Sequence, residues 1–449
     1  MFRRILIANR GEVVARVLRT TRRLGIEAVV VVSDADRDAP YTALADEVVC
    51  LGPAPSAQSY LRRERIIQAA RQTGATAIHP GWGFLSEDPL FADLCRQHGL
   101  AFVGPPARVI RLMGRKLAAK RAAREAGLEV IPGSFGLVRD AEEAAAIAAD
   151  TGYPVILKAD AGGGGRGMRK CCDPSQLAEA FALASAEAEA AFGDPGLYLE
   201  RYLEGGRHIE VQVLADAYGH AIHLGERECS LQRNHQKLLE ESPSPALTPA
   251  EAEAAGERAA RAAAGIGYVG AGTFEFLLDD QGVLRFMEMN ARLQVEHGVS
   301  ELRSGVDLVE HQLRVAANEP LALRQEELRL EGASIELRLN AEDPDQGFRP
   351  SPGRISTLRW PEGLRVDTHV AEGYTVPPYY DSLIAKLLVH APDRAACIAR
   401  LERALEELQL EGVATTAALF RRLLRDPDLR RGEYDTNFLG RWLAREGQR

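Results

Sequence analysis

From residue 4 onward, short apolar runs alternate with longer stretches whose apolar positions recur every three to four residues. RRILIAN reads as a buried strand, GEVVARVLRTTRRLG as a helix stopped at Gly25, and EAVVVVS as a second strand. RRERIIQAARQTG followed by ATAIHP repeats the unit. This alternation predicts a doubly wound parallel sheet over about residues 1–110. One helix is expected over 107–126, ending near Gly127. IPGSFGLV and YPVILKA are expected strands around an Ala-rich helix at 140–150. Asp173, Pro174 and Gln176 have the spacing of a helix cap, opening a helix to about 192 that LYLERYL follows. Residues 130–204 therefore form a small α+β module. Beyond it, HIEVQVLAD, AIHLGERE, TFEFLLDD and LRFMEMN are expected strands, with helices near 249–265 and 305–317. Short strands with the turns DPDQG and SPG follow from 333, then the helices DRAACIARLERALEEL and ATTAALFRRLLRD.

With 449 residues, 46% apolar and 27% charged, the chain has the composition of a multidomain globular protein. Its net charge of −9 gives no general attraction to nucleic acid or an anionic membrane. No apolar run approaches a membrane span, and the apolar run in MFRRILIANR is too short for a signal peptide. Six cysteines without C-x-x-C spacing point to reduced thiols in a cytoplasm. The first β-α turn is NRGE rather than G-x-G-x-x-G, which excludes a dehydrogenase cradle there.

Within that frame, AGGGGRGM at 161–168 follows a strand and offers unobstructed backbone N–H groups to phosphate, with Arg166 and Lys158 adding charge. A flexible hairpin tip is the plainer alternative. TFEFLLDDQGVLRFMEMN reads as a hairpin. With DDQG as a four-residue loop, Leu278 faces Val283 and Glu275 faces Phe286. Glu288 then lies diagonal to Glu275 on the same face, about 7–8 Å away. Two carboxylates with Asn290 suit a hard divalent cation that also takes phosphate oxygens. In the extended segment RFMEMNARLQVEH, every second residue is polar: Glu288, Asn290, Arg292, Gln294 and Glu296. HPGWGFLSE (79–87) sits at the carboxyl end of a sheet strand, where a tight turn packing Trp82 would also explain it. Gln232, His235 and Lys237 cluster in SLQRNHQK on no periodic face, Arg338 stands mid-strand in IELRLNAEDP, and Cys229 is a small buried filler.

These segments in this order resemble the biotin carboxylase family of the ATP-grasp superfamily over essentially the whole chain. NRGE, MGRK, KADAGGGGRGM, ERECSLQRNHQK, EMNARLQVEH, RLNAEDP and GYTVPPYYDSLIAKL carry the resemblance together. It implies an α/β and α+β multidomain fold. A Rossmann-like domain would cover 1–115, an ATP-grasp domain 116–330 with a mobile lid at about 130–204, and a C-terminal biotin carboxylase domain 331–449. The resemblance assigns ATP contacts to Lys116, Lys158, Gly164, Gly165, Glu200, Arg201, Tyr202, Leu203, His208, Gln232 and His235, with Glu275 and Glu288. Glu275, Glu288 and Asn290 would hold Mg²⁺ or Mn²⁺. Lys237, Arg292, Gln294, Val295 and Glu296 would bind bicarbonate, with Glu296 as base, and Arg338 and Trp82 would meet biotin.

The implied reaction is ATP-dependent carboxylation, through carboxyphosphate, of biotin on a carrier protein. Acetyl-CoA carboxylase is the expected system, with propionyl-CoA and pyruvate carboxylases as alternatives. No biotinylation motif is present, so separate carrier and carboxyltransferase subunits are expected partners of a homodimer. An amide-forming ATP-grasp ligase would share the lid and metal ligands but need neither RLQVEH nor Arg338, and a non-catalytic nucleotide-binding scaffold would tolerate loss of the base. Trp82 stands where the family usually has Tyr, Ala291 where it has Thr and Gly298 where it has Pro, and Ala161 shortens the glycine run by one.

Overall fold

In a computed structural model, residues 1–161 and 167–446 are described. The N-terminal part is a five-stranded, all-parallel sheet in the order Glu47–Gly52, Glu27–Ser33, Arg4–Ile7, Ala77–His79, Ala101–Phe102. Its three central strands, Glu27–Ser33, Arg4–Ile7 and Ala77–His79, are largely buried on both faces because helices Glu12–Leu24, Arg63–Gln72 and Pro89–Gln97 alternate with the strands. The expected helix over 107–126 is instead two, Ala107–Met113 and Lys116–Glu125, separated at Gly114 and Arg115. Lys116 thereby opens a helix rather than lying within one.

Residues of the predicted small module form a three-stranded antiparallel sheet, Met168–Cys171, Val155–Ala159 and Leu197–Arg201, under helices Ala141–Thr151 and Leu177–Phe192. Val155, Leu157, Leu199, Ala184 and Ala188 belong to a core of its own. IPGSFGLV makes only isolated bridges, such as Gly133 with Glu200 and Val138 with Leu197, and is no strand.

The remaining chain is organised by one antiparallel sheet of eight strands. Its order is Leu284–Asn290, Gly270–Leu278, Arg207–Ala215, Ala221–Arg233, Gln236–Ser242, Ala333–Asn340, Leu383–Ala391, Arg365–Thr368. Strand pairing runs without a break across the expected 330/331 boundary, from Gln236–Ser242 to Ala333–Asn340. Helix Pro249–Ile266 covers the early strands, opened by a capping box between Thr248 and Glu251. The helix expected at 305–317 is Leu308–Ala316, and a second, unexpected one, His297–Ser304, precedes it. Among the described residues, no helix is long and apolar enough to cross a membrane.

Candidate active site

Strand register assembles the chemistry. Glu288 is paired directly with Glu275, Glu275 with Glu210, and Glu210 with Arg227, a row across four neighbouring strands. Cross-strand partners sit about 5 Å apart, so three acids in line repel one another unless cations are supplied. The expected hairpin register is corrected here: Leu278 pairs with Leu284, and a bulge at Met287 separates the pairs Phe276–Phe286 and Glu275–Glu288. In an unbulged ladder Met287 would oppose Glu275 and Glu288 would turn to the apolar face of Phe274 and Phe276.

The cations come from two sides. Lys237 Nζ donates to Glu296 Oε1 at 2.8 Å, to Glu275 Oε1 at 3.1 Å and to Glu210. Lys237 reaches them from a tight hairpin whose turn residues Asn234 and His235 both have positive φ, with Gln232 facing Lys237 across it. Arg227, wholly buried, donates to Glu210, Gln212, Thr273, Ser300 and Gln294. His208 lies 3.2 Å from Glu275 and 3.3 Å from Glu210. Burial alone would strip its proton, but the two carboxylates hold it on and raise its pKa to about 9.

Glu296 closes the cluster. The extended segment ends at Asn290, and Glu296 instead occupies a turn that caps helix His297–Ser304. Arg338, mid-strand as expected, bridges Glu296 Oε2 at 3.0 Å and Glu240 Oε1 at 2.6 Å. Burial opposes ionisation of Glu296, yet Lys237, Arg338 and Arg227 hold its pKa down to about 2. Glu240 has the opposite balance: burial pushes it up to about 7 against Arg338. Gln294 donates to Glu275 at 2.7 Å, Asn290 donates to Glu275 at 2.7 Å, and Arg292 donates to Asn290 Oδ1 at 2.6 Å. Glu87 accepts from the Ala291 N–H at 2.9 Å and from Arg292 Nε at 2.8 Å.

The expected ATP residues divide between two places. Lys158 donates to Glu200 at 2.8 Å on the small sheet, where Lys120 also reaches Glu200 at 3.0 Å. Arg201 is exposed there, while Tyr202 and Leu203 are half-buried, Tyr202 beneath the Lys170 ammonium. Lys116 lies 3.7 Å from Glu288, which is itself half-exposed. His235 is exposed at its hairpin tip. Gly164, Gly165 and Arg166 lie outside the described residues. Trp82 directs its indole N–H to Glu12 at 3.0 Å. Cys229 is wholly buried, as expected of a filler. Gly298, the departure after VEH, packs under Leu388, whose Cδ2 would lie 2.4 Å from an added Cβ.

Oxygen donors on one face, Glu275, Glu288 and Asn290, suit Mg²⁺ or Mn²⁺ in chemistry. Among the described residues, however, the groups whose ligand atoms lie close enough to share an ion are His208, Glu210 and Glu275, and Glu210, Cys229 and Glu296. Glu210, Arg227, Glu240 and Glu87 were not assigned roles from sequence. The alternation of His208, Glu210 and Gln212 against Ile209, Val211 and Val213 was the available signal.

The profile described as "Biotin carboxylase, N-terminal domain" matches residues 1–110. "Carbamoyl-phosphate synthase L chain, ATP binding domain" matches 115–324, and "Biotin carboxylase C-terminal domain" matches 336–441. The biotin carboxylase of Nostoc sp. is 52% identical over 440 residues, 98% of either chain. Biotin carboxylase 1 of Bacillus subtilis is 48% identical over 442 residues, again 98% of each. A Campylobacter jejuni biotin carboxylase–β,γ-ATP complex superposes with a TM-score of 0.95 at 48% identity, covering 98% of this chain and 99% of that one. The biotin carboxylase domain dimer of Hydrogenobacter thermophilus 2-oxoglutarate carboxylase, with MgADP, ADP and bicarbonate, gives 0.94 at 47% identity and 98% coverage of both.

Proposed function

The chain belongs to the biotin carboxylase family, and from that premise we propose that it carboxylates biotin on a carrier protein with ATP and bicarbonate. The observation that carries this is the placement of Lys237 and Arg338 on either side of Glu296, with Glu275 within reach of the same ammonium. An anion entering between them takes both cations as counter-ions. Glu296 then loses two of the three cations that hold its pKa near 2, Arg227 alone remaining, and becomes basic enough to remove the bicarbonate proton. The bicarbonate oxygen so freed attacks the γ-phosphorus of ATP, and ADP leaves, giving carboxyphosphate. Lys116 and Lys158 supply positive charge to the phosphates, and His208, Gln232 and Glu200 to Leu203 line the nucleotide. When bound, Mg²⁺ would be held by Glu275, Glu288 and Asn290 and would offset phosphate charge. Carboxyphosphate breaks down to CO₂ and phosphate, the phosphate takes the N1′ proton of biotin, and N1′ attacks CO₂. Arg338 stabilises the ureido oxygen as charge develops on it, with Trp82 near by.

The system served is proposed to be acetyl-CoA carboxylase, as a homodimer working with separate carrier and carboxyltransferase subunits in the cytoplasm. Identity to proteins named simply biotin carboxylase reaches 52%, against 47% for the biotin carboxylase domain of a 2-oxoglutarate carboxylase and 45% for the biotin carboxylase subunit of a pyruvate carboxylase. All six cysteines are unpaired, which suits a reducing compartment. Incubation with candidate carrier domains from the same cell, ATP and labelled bicarbonate tests the reading. Label on the carrier of acetyl-CoA carboxylase supports it, label only on a 2-oxo-acid carboxylase's carrier reassigns the system, and ATP use that demands an amine overturns it.

A further inference from the structure

Strand Leu383–Ala391 is apolar and buried throughout but for His390 near its end and one residue at its centre, Lys386. A fully buried ammonium in such a strand is costly unless its partners are fixed. Its Nζ donates to the Val295 carbonyl at 2.7 Å and lies 3.2 Å from Glu12 Oε2, with Asp367 Oδ2 at 3.8 Å. Glu12 opens the first helix of the N-terminal sheet, after the NRG turn whose Gly11 has φ 78°. Its other oxygen accepts the Trp82 indole N–H at 3.0 Å. Four segments, around Glu12, Trp82, Val295 and Lys386, are thus joined through one buried charge, and the NRGE turn, idle as a nucleotide cradle, supplies its counter-ion. The loop of Trp82 also grips the other end of the same segment, where Glu87 holds Ala291 and Arg292.

We propose that Lys386 and Glu12 are positioning residues that tie the Trp82 loop to the Val295–Glu296 turn and hold that turn in its bicarbonate-binding form. Neither side chain touches a reacting atom. Lys386 fixes the Val295 carbonyl and so the direction of the adjacent Glu296 side chain, while Glu12 fixes Lys386 against Trp82. This rests on bicarbonate binding at that turn, as proposed above.

The test uses the full-length protein and steady-state ATP hydrolysis with bicarbonate varied. Lys386→Met and Glu12→Gln each leave a buried partner uncompensated, so the double variant is decisive: the pair is removed as a unit, while Asp367 keeps Arg365 as its counter-ion. The double variant is expected to keep KM for ATP within about twofold while KM for bicarbonate rises about tenfold or more. In a Trp360→Phe, Trp442→Phe background, bicarbonate should shift the emission of the remaining Trp82, and Glu12→Gln should abolish that shift. If the double variant does not fold, Lys386→Arg, which keeps the charge but displaces the donor, should raise the same KM. A bicarbonate KM unchanged within about twofold, or both KM values rising together, overturns the inference while wild-type bicarbonate dependence stands. Wild-type hydrolysis that ignores bicarbonate overturns the function and the inference together.

Discussion

Lys237 meets three carboxylates with a single ammonium, and it is the strongest of the charges that keep Glu296 ionised beside Glu210. Replacing it by Gln removes a cation, so the pKa of Glu296 must rise. The ionised base is then lost at a higher pH than in the wild type as acid is added. The acid limb of kcat/KM for bicarbonate is therefore expected to move upward in pH, with the plateau falling about 100-fold or more. An unmoved limb would show that another group titrates there. The resemblance assigned Glu296, Lys237 and Arg338 to one site, and the structure brings the three side chains into contact, although Lys237 and Arg338 taken singly read as surface charges. Arg227 and Glu210 were not assigned, because a buried arginine inside a β-strand has no linear signature. Its partners Gln212, Thr273, Gln294 and Ser300 are spread over nearly ninety residues of chain.

Among the elements, the hairpin that carries Glu275 and Glu288 shows how a face can be right while the register is wrong. The real loop moves the pairing by one residue and the bulge at Met287 moves it by one more. Side chains alternate with period two, so the shifts cancel and Glu288 stays on the side of Glu275. Asp279 made the loop ambiguous, since its side chain accepts from Gln281 and Val283 and sets the turn itself. The polar alternation from 288 to 296 predicts one extended ribbon, yet the chain turns after Asn290. The pattern persists there because Asn290, Gln294 and Glu296 join one hydrogen-bonded cluster, not because the backbone stays straight. Helix Pro249–Ile266, by contrast, announces itself through its cap. Thr248→Ala is expected to cost about 1 kcal/mol in a denaturant titration and to leave bicarbonate-dependent activity unchanged. A loss of activity would tie that helix to the site.

At the scale of the whole molecule, the eight-stranded sheet joins strands nearly 100 residues apart, which no local periodicity reveals. Ion pairs then lock the N-terminal helix Glu12–Leu24 and the edge strand Arg365–Thr368 to helix His297–Ser304. Glu301 lies 2.6 Å from Arg16 and 2.7 Å from Arg365. Burial opposes its charge, but Arg16 and Arg365 lower its pKa from 4.5 to about 2. A depressed carboxylate stabilises the fold fully above its ordinary value and loses that contribution as pH falls through the folded one. Stability should therefore drop between about pH 5 and about pH 2, with roughly 3 kcal/mol of the drop owed to Glu301. Urea midpoints across that window measure it. Glu301→Gln should lower stability near neutrality and flatten the slope, and an unchanged slope would place the acid sensitivity elsewhere.

The central claim is that phosphate chemistry, bicarbonate and base converge at Glu296. The most direct measurement is ATP hydrolysis by wild type and Glu296→Ala, with and without bicarbonate and free biotin, alongside nucleotide binding by titration calorimetry. Wild type should hydrolyse ATP only with bicarbonate and faster with biotin, while Glu296→Ala binds ATP normally and turns over about 10²–10⁴-fold more slowly. Equal turnover by the two proteins would contradict the account.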